Sequence, residues 1–185
     1  MDNKTETKME GKTKDSAKTK GTNPMREIKI DKIVLSVGGT GEYLDKGFEL
    51  LKMLTDRTPT KAKSRKRIPA LGVRPKLEVG TLVTIRKNPE KMLKNLLNAY
   101  DNVLKKSQID DNNFSFGIKE YIEIPGVEYR RDIGILGFDV TVVFKRAGRR
   151  VKLKKVNKGK LPARQKVLKK EIIKFMEENF GTRFE

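Results

Sequence analysis

Apolar and polar positions alternate at both ends of the sequence's middle portion, with helical spacing between them. From Ile28 to Val37 the chain is rich in β-branched residues and closes on Gly38 and Gly39. This predicts a strand with Ile33, Leu35 and Val37 on one face and Val34 and Ser36 on the other. Over Glu42 to Thr55, residues Tyr43, Leu44, Phe48, Leu51 and Leu54 fall near helical spacing, slightly weakened by Gly47. Thr58 to Pro75 is basic, interrupted by proline and aperiodic, which predicts extended backbone with a protruding loop. Val79, Thr81, Val83 and Ile85 alternate with Gly80, Leu82, Thr84 and Arg86, a second strand. Asn88 and Pro89 open a helix, as cap and first helical residue. Its apolar face is Met92, Leu93, Leu96, Leu97, Tyr100 and Val103.

Two short strand-like runs follow, Phe114 to Ile118 and Tyr121 to Ile124. Gly137 to Lys145 is a strand in which Phe138, Val140, Val142 and Phe144 alternate with Asp139, Thr141 and Val143. Arg149 to Val156 continues as a hairpin arm, broken at Gly159 and Pro162. From Ala163 the pattern is helical (Val167, Leu168, Ile172, Phe175, Met176) as far as Gly181. The order argues an α+β fold, with helices packed on one face of a largely antiparallel sheet. Residues 23–185 form one domain. Residues 1–22 have only Met1, Met9 and Ala17 as apolar residues. Too little surface is available there to offset ordering entropy, so a disordered polar tail is expected.

Charge changes the picture most. Lys145 to Lys170 contains thirteen basic residues and no acidic one, and Lys61 to Lys76 contains seven and none. The chain as a whole carries +19, so the rest nearly cancels. A solvating surface normally mixes both signs. Acid-free stretches of this length point to a polyanion, whose phosphates release counterions on contact. Arg149 and Arg150 suit bidentate phosphate contact.

The sequence has no cysteine and no histidine. That excludes thiolate metal sites, disulfides, thiol nucleophiles and the commonest general base. No apolar run reaches the roughly 20 residues needed to span a bilayer, and no signal-peptide core is visible. The expectation is a soluble intracellular protein with no cofactor, no metal and no membrane partner. Gly38 to Gly41 lies between strand and helix, where phosphate loops occur, but lacks their Lys and Ser/Thr. A tight turn is the better reading. Leu136 to Val143 loosely resembles an RNA-stacking strand, yet Leu136 and Asp139 stand where a basic and a small residue belong. A core strand fits better. Glu120, Glu123, Glu128, Asp132 and Asp139 form no catalytic pair; they are either solvated or face a basic protein. If the apolar strand faces cover helices, the opposite face shows Ser36, Thr84 and Arg86, small and polar enough to lie against an RNA backbone.

Several motifs, in one order and at matching separations, then carry a resemblance. They are Asn23 to Ile28, Lys32 to Gly41, Leu54 to Pro59 with Lys61 and Lys63, Gly80 to Arg86, Phe114 to Ile122, Pro125 to Tyr129 and Ile133 to Asp139. They resemble the large-subunit ribosomal protein "L five" family, whose members bind 5S ribosomal RNA, over about Asn23 to Phe180. The start and the basic segment after Phe144 look like the archaeal and eukaryotic branch, also called eukaryotic "L eleven". The resemblance implies that the sheet is curved, and that the protein is a non-enzymatic structural constituent of the large subunit, in the cytoplasm.

It implies rRNA contact, to 5S and large-subunit rRNA, by Ser36, Arg57, Lys61, Lys63, Arg65, Lys66, Thr84 and Arg86. The basic extension adds Arg146, Arg149, Arg150, Lys152, Lys154 and Lys155. It implies a loop touching P-site tRNA, formed by Arg67, Ile68, Pro69, Ala70, Leu71, Gly72, Val73 and Arg74. It implies a face for the small-subunit protein "S thirteen" at Glu128, Tyr129, Arg130, Arg131 and Asp132, beside other central-protuberance proteins. Ser36 stands where the family usually has Asn, and Asp56 with Arg57 where it usually has Gly-Gln. Serine loses the amide's two-sided hydrogen bonding, and Arg57 adds charge. A free-standing RNA chaperone or assembly factor, or a small phosphate-handling enzyme using the Gly38 turn, are the alternative readings.

Overall fold

The first strand of the domain, β1 (Lys29–Gly38), sits near the middle of a sheet whose order is β2-β3-β1-β7-β6-β5. Its neighbours are β3 (Glu78–Ile85) and β7 (Phe138–Lys145). Beyond them lie β2 (Thr60–Lys63), β6 (Asn113–Ile118) and the two-residue β5 (Ile109–Asp110). Every pairing in this sheet is antiparallel. The computed structural model describes residues 23–185; the expected disordered tail, 1–22, lies outside the described residues.

Alternation along the strands sorts the two faces. Ile33, Leu35, Val37, Val83, Ile85, Phe114, Phe116, Ile118, Val140, Val142 and Phe144 are buried. They join Leu50 and Leu51 of α1 (Glu42–Thr55) and Leu93, Leu96 and Leu97 of α2 (Pro89–Asn98) in one core cluster. Ile172 and Met176 of α4 (Lys169–Phe180) complete it. Burying each such side chain contributes about 1.5–3 kcal/mol. Phe114 stacks between Phe116 and Phe144, with ring centroids 5.9 and 5.8 Å away. Phe175 meets Phe144 edge-on at 5.7 Å and so ties α4 to β7. A parallel pair, β4 (Val103–Leu104) with β8 (Arg183–Phe184), closes the far side.

The strands expected near Ile28 to Val37, Val79 to Arg86, Phe114 to Ile118 and Gly137 to Lys145, and the helix α1, are where the periodicity places them, and α4 ends at Gly181 in the left-handed region. Five local expectations are corrected. Tyr121–Glu123 is a 3-10 turn, because Tyr121 buries its whole side chain rather than alternating. Arg149 to Val156 forms no hairpin arm; it holds a short helix, α3 (Arg150–Leu153). Among the described residues no strand pairs with it, and arginine, lysine and leucine favour helix over extended backbone. Ala163–Gln165 is a separate 3-10 turn, so α4 starts only at Lys169. Asn88 precedes α2 in the left-handed region (φ 47°) and makes no side-chain cap. Tyr100 and Val103 lie beyond the end of α2, though Tyr100 still packs against the core.

Candidate nucleic-acid interface

Among the described residues all the packed helices cover one side of the sheet, so the alternate positions form an open face. Register aligns Leu82, Ser36, Asp139 and Gly117 in one row. Thr84, Val34, Thr141 and Ser115 form the next. The residues are small or neutral except Asp139, and none is aromatic. Such a face suits close approach of a ribose-phosphate backbone rather than base stacking. Ser36 and Thr84 are half-buried in it, and Arg86, two residues beyond Thr84, is exposed at its border.

Arg57 reaches this border by a contact that the sequence pattern does not reveal. Its guanidinium donates to the Thr84 carbonyl at 3.1 Å, across 27 residues of sequence. It also lines two adjoining grooves. One is shared with Arg130, Asp132 and Ile133, the other with Lys87, Asn88 and Lys91. Arg57 and two of the expected small-subunit residues are thus brought together.

Lys61 is placed otherwise than its role as a free cation requires. It pairs in register with Thr81, whose side chain is buried, so it lies on the helix side of the edge strand. There it donates to Asp45 at 2.8 Å, lies 3.4 Å from Glu78, and stands over the Phe48 ring. The hydrogen bond with Asp45 holds its ammonium above the ordinary 10.5 despite some desolvation. Lys63 is 3.9 Å from Glu78. The acid-free run 61–76 is therefore partly neutralised in space by α1 and β3.

Beyond β2 the chain forms a built loop. Ser64 and Leu77 close its base at 2.7 Å, and Ile68 bridges Val73 across a turn at Pro69–Leu71. Arg65, Lys66, Arg67, Pro69, Ala70, Gly72 and Arg74 are exposed, as are the apolar tips Ile68 and Leu71. Val73 is buried and pins the loop instead of presenting itself.

Residues 125–135 hang from Tyr121, whose hydroxyl accepts from the Arg130 amide at 2.9 Å. Glu128, Tyr129, Arg130, Arg131 and Asp132 are exposed, and Ile122 and Ile135 add exposed apolar surface that the reading from sequence missed. The basic extension is anchored at a bulge in β1. The bulge turns Asp31 toward Lys145 at 2.8 Å and Arg149 at 2.7 Å. Burial pushes the Asp31 carboxyl up, but the Lys145 hydrogen bond and the charges of Lys145, Arg149 and Lys32 outweigh it and hold it below 3.8. Arg150, Lys152, Lys154 and Lys155 are exposed along α3 and just beyond it.

At the Gly38 turn, Glu42 and Asp45 occupy the first turn of α1. Their charge opposes a phosphate at that helix start. Among the described residues, no group of three or more carboxylates is placed to hold a metal ion, and no helix is long and apolar enough to cross a membrane.

Residues 78–175 match the model of the C-terminus of the ribosomal "L five" protein family. The large ribosomal subunit protein uL5 of Nanoarchaeum equitans is 42% identical over 163 residues, covering 86% of this chain and 96% of the relative. Those of Methanobrevibacter smithii and Methanosphaera stadtmanae are 37% and 39% identical, covering 88% and 83% of this chain and 98% and 92% of the relatives.

Proposed function

Since this chain belongs to the ribosomal "L five" family, we propose that it is a structural constituent of the large ribosomal subunit that works by binding RNA. The open sheet face docks on 5S rRNA, with Arg57 and Arg86 at its border gripping phosphates. The observation that carries this reading is the two-row face of mostly small or neutral residues, left bare among the described residues while the packed helices cover the other side. Small side chains let a sugar-phosphate backbone come close, and hydroxyls at Ser36, Thr84 and Thr141 supply partners for 2′-hydroxyls. Phosphate contacts fix position and register; base readout is confined to unpaired nucleotides.

The exposed loop 67–74 touches P-site tRNA through its arginines and apolar tip, while Arg65 and Lys66 at its base belong to the rRNA side. Residues 128–132 and the neighbouring Ile135 face a basic small-subunit protein of the "S thirteen" kind at the head bridge. Large-subunit rRNA takes the basic extension. The site of action is the cytoplasmic ribosome, among the other proteins of the central protuberance.

The test is a double substitution, Thr84→Val with Arg86→Gln, measured against 5S rRNA by filter binding. Affinity should fall by about 1–3 kcal/mol, the loss expected for charge-assisted and hydroxyl contacts. Unchanged affinity in a folded variant would sink the sheet-face assignment.

A further inference from the structure

Between β7 and α4 the chain folds back on itself around a cavity of about 550 Å³. Its wall is built tightly. The Gly159 amide donates to the Val151 carbonyl of α3 at 3.2 Å, and a Cβ at Gly159 would sit 2.7 Å from the Val151 side chain. Glycine lets the returning segment lie close to the helix without moving the Val151 side chain.

The charges around the cavity are unequally satisfied. Lys145 and Arg149 share Asp31, and Arg146 pairs with Glu171. Lys152, Lys158, Lys160 and Lys166 also line the cavity and have no carboxylate within ion-pair distance among the described residues. Four like charges bordering one hollow raise the positive potential there, which favours a counter-anion. Arg146 adds an independent sign. Its side chain is only 9% exposed, one terminal nitrogen donates to the Arg164 carbonyl at 2.8 Å, and its Nε is buried without a partner. An unmet charged donor at such a wall costs free energy that an incoming acceptor recovers.

The rest of the lining is not that of a bare phosphate site. Leu161 supplies apolar surface over the buried Phe144, and Asn112 and Gln165 supply amides. The Asn112 Oδ1 already accepts from the Val167 amide at 2.9 Å, which leaves its NH2 to donate. The volume falls within the roughly 300–1,000 Å³ of small-ligand sites. We propose that this cavity binds one nucleotide, its phosphate among the four unpaired lysines and its base against the apolar and amide side. The nucleotide comes either from an RNA strand or from solution. This site rests on and deepens the reading of the basic extension, whose Arg146, Arg149 and Lys152 line the cavity, and it is separate from the sheet face.

The full chain, labelled for amide NMR, is titrated separately with a 5′-phosphorylated RNA trinucleotide, with ATP and with inorganic triphosphate. Saturable shifts are expected at Gly148, Gly159 and the Gln165 side chain with the first two. Tighter trinucleotide binding assigns the strand as source, and tighter ATP binding assigns free nucleotide. Lys158→Glu with Lys160→Glu should weaken either by about tenfold or more, as expected for loss of two phosphate contacts. Lys158→Gln with Lys160→Gln serves if the reversal disturbs folding. Triphosphate binding as tightly as the nucleotides would overturn the proposal, as would shifts spread equally over Lys61 to Lys76, or variants that bind unchanged. Retention of 5S rRNA, measured in parallel on both variants, separates failure at this cavity from failure of the sheet-face reading.

Discussion

At Gly137 one added carbon has no room. A Cβ there would lie 2.6 Å from the Lys119 carbonyl oxygen and 2.7 Å from that of Ile118. Backbone cannot step aside as a side chain can, so Gly137→Ala should lose about 1–3 kcal/mol; a urea midpoint matching the native protein's would contradict this. The pattern marks Gly137 as a strand's first residue, but the crowding comes from the exit of β6, which no local pattern shows. Asp31 is similar: its neighbours in space lie more than 100 residues away in sequence. Because its folded pKa lies below the ordinary 3.8, it adds stability that is present above that value and fades as pH falls through the folded one. Asp31→Asn should therefore cost stability at neutral pH, and the gap from the native protein should narrow below pH 3.8. A gap constant across acid titration would remove Asp31's linkage role. Ser36 and Thr84 were legible as face residues from alternation alone. Arg57 was not legible as a border residue, since its anchor is a carbonyl on another strand.

Among elements, legibility followed burial. β1, β3, β7 and α1 each bury one face, so hydrophobic period dictates their type and bounds. α3 buries nothing, and a four-residue helix leaves no period to read. Tyr121 misleads for the opposite reason: one deeply buried aromatic in a run of apolar residues imitates a strand. The loop between Ser64 and Leu77 is closed at its base by backbone hydrogen bonds and packs only Val73. It is thus a detachable module. Replacing Arg67 to Lys76 with a short Gly-Ser link should leave 5S rRNA binding intact and weaken retention of P-site tRNA. Loss of 5S binding in a folded variant, seen by co-sedimentation, would mean that the loop belongs to the other interface.

For the molecule as a whole, a net charge of +19 makes association with RNA an ion-exchange reaction. If six to ten phosphates are neutralised, affinity should drop about 10³–10⁵-fold between 50 and 200 mM salt. A flat profile in the same filter assay would contradict the phosphate-contact mechanism. The α+β class was legible because strands and helices differ in period. The polyanion partner was legible because charge survives any folding. Partition of that charge was not: only in three dimensions do Asp45 and Glu78 quench Lys61, while four lysines near Arg146 have no carboxylate partner among the described residues.

The central place of β1 has a consequence in time. Its Leu35 pairs with Val83 on one side and with Val140 on the other. A nascent chain emerging from its N-terminal end must therefore wait for residues about 105 positions later before that strand loses its second open edge. Folding is dominated by sequence-distant pairings and should be slow for a domain of this size. Meanwhile a β-branched edge is exposed to other chains. Newly made copies therefore gain most from early shielding, by a holdase or by the RNA itself.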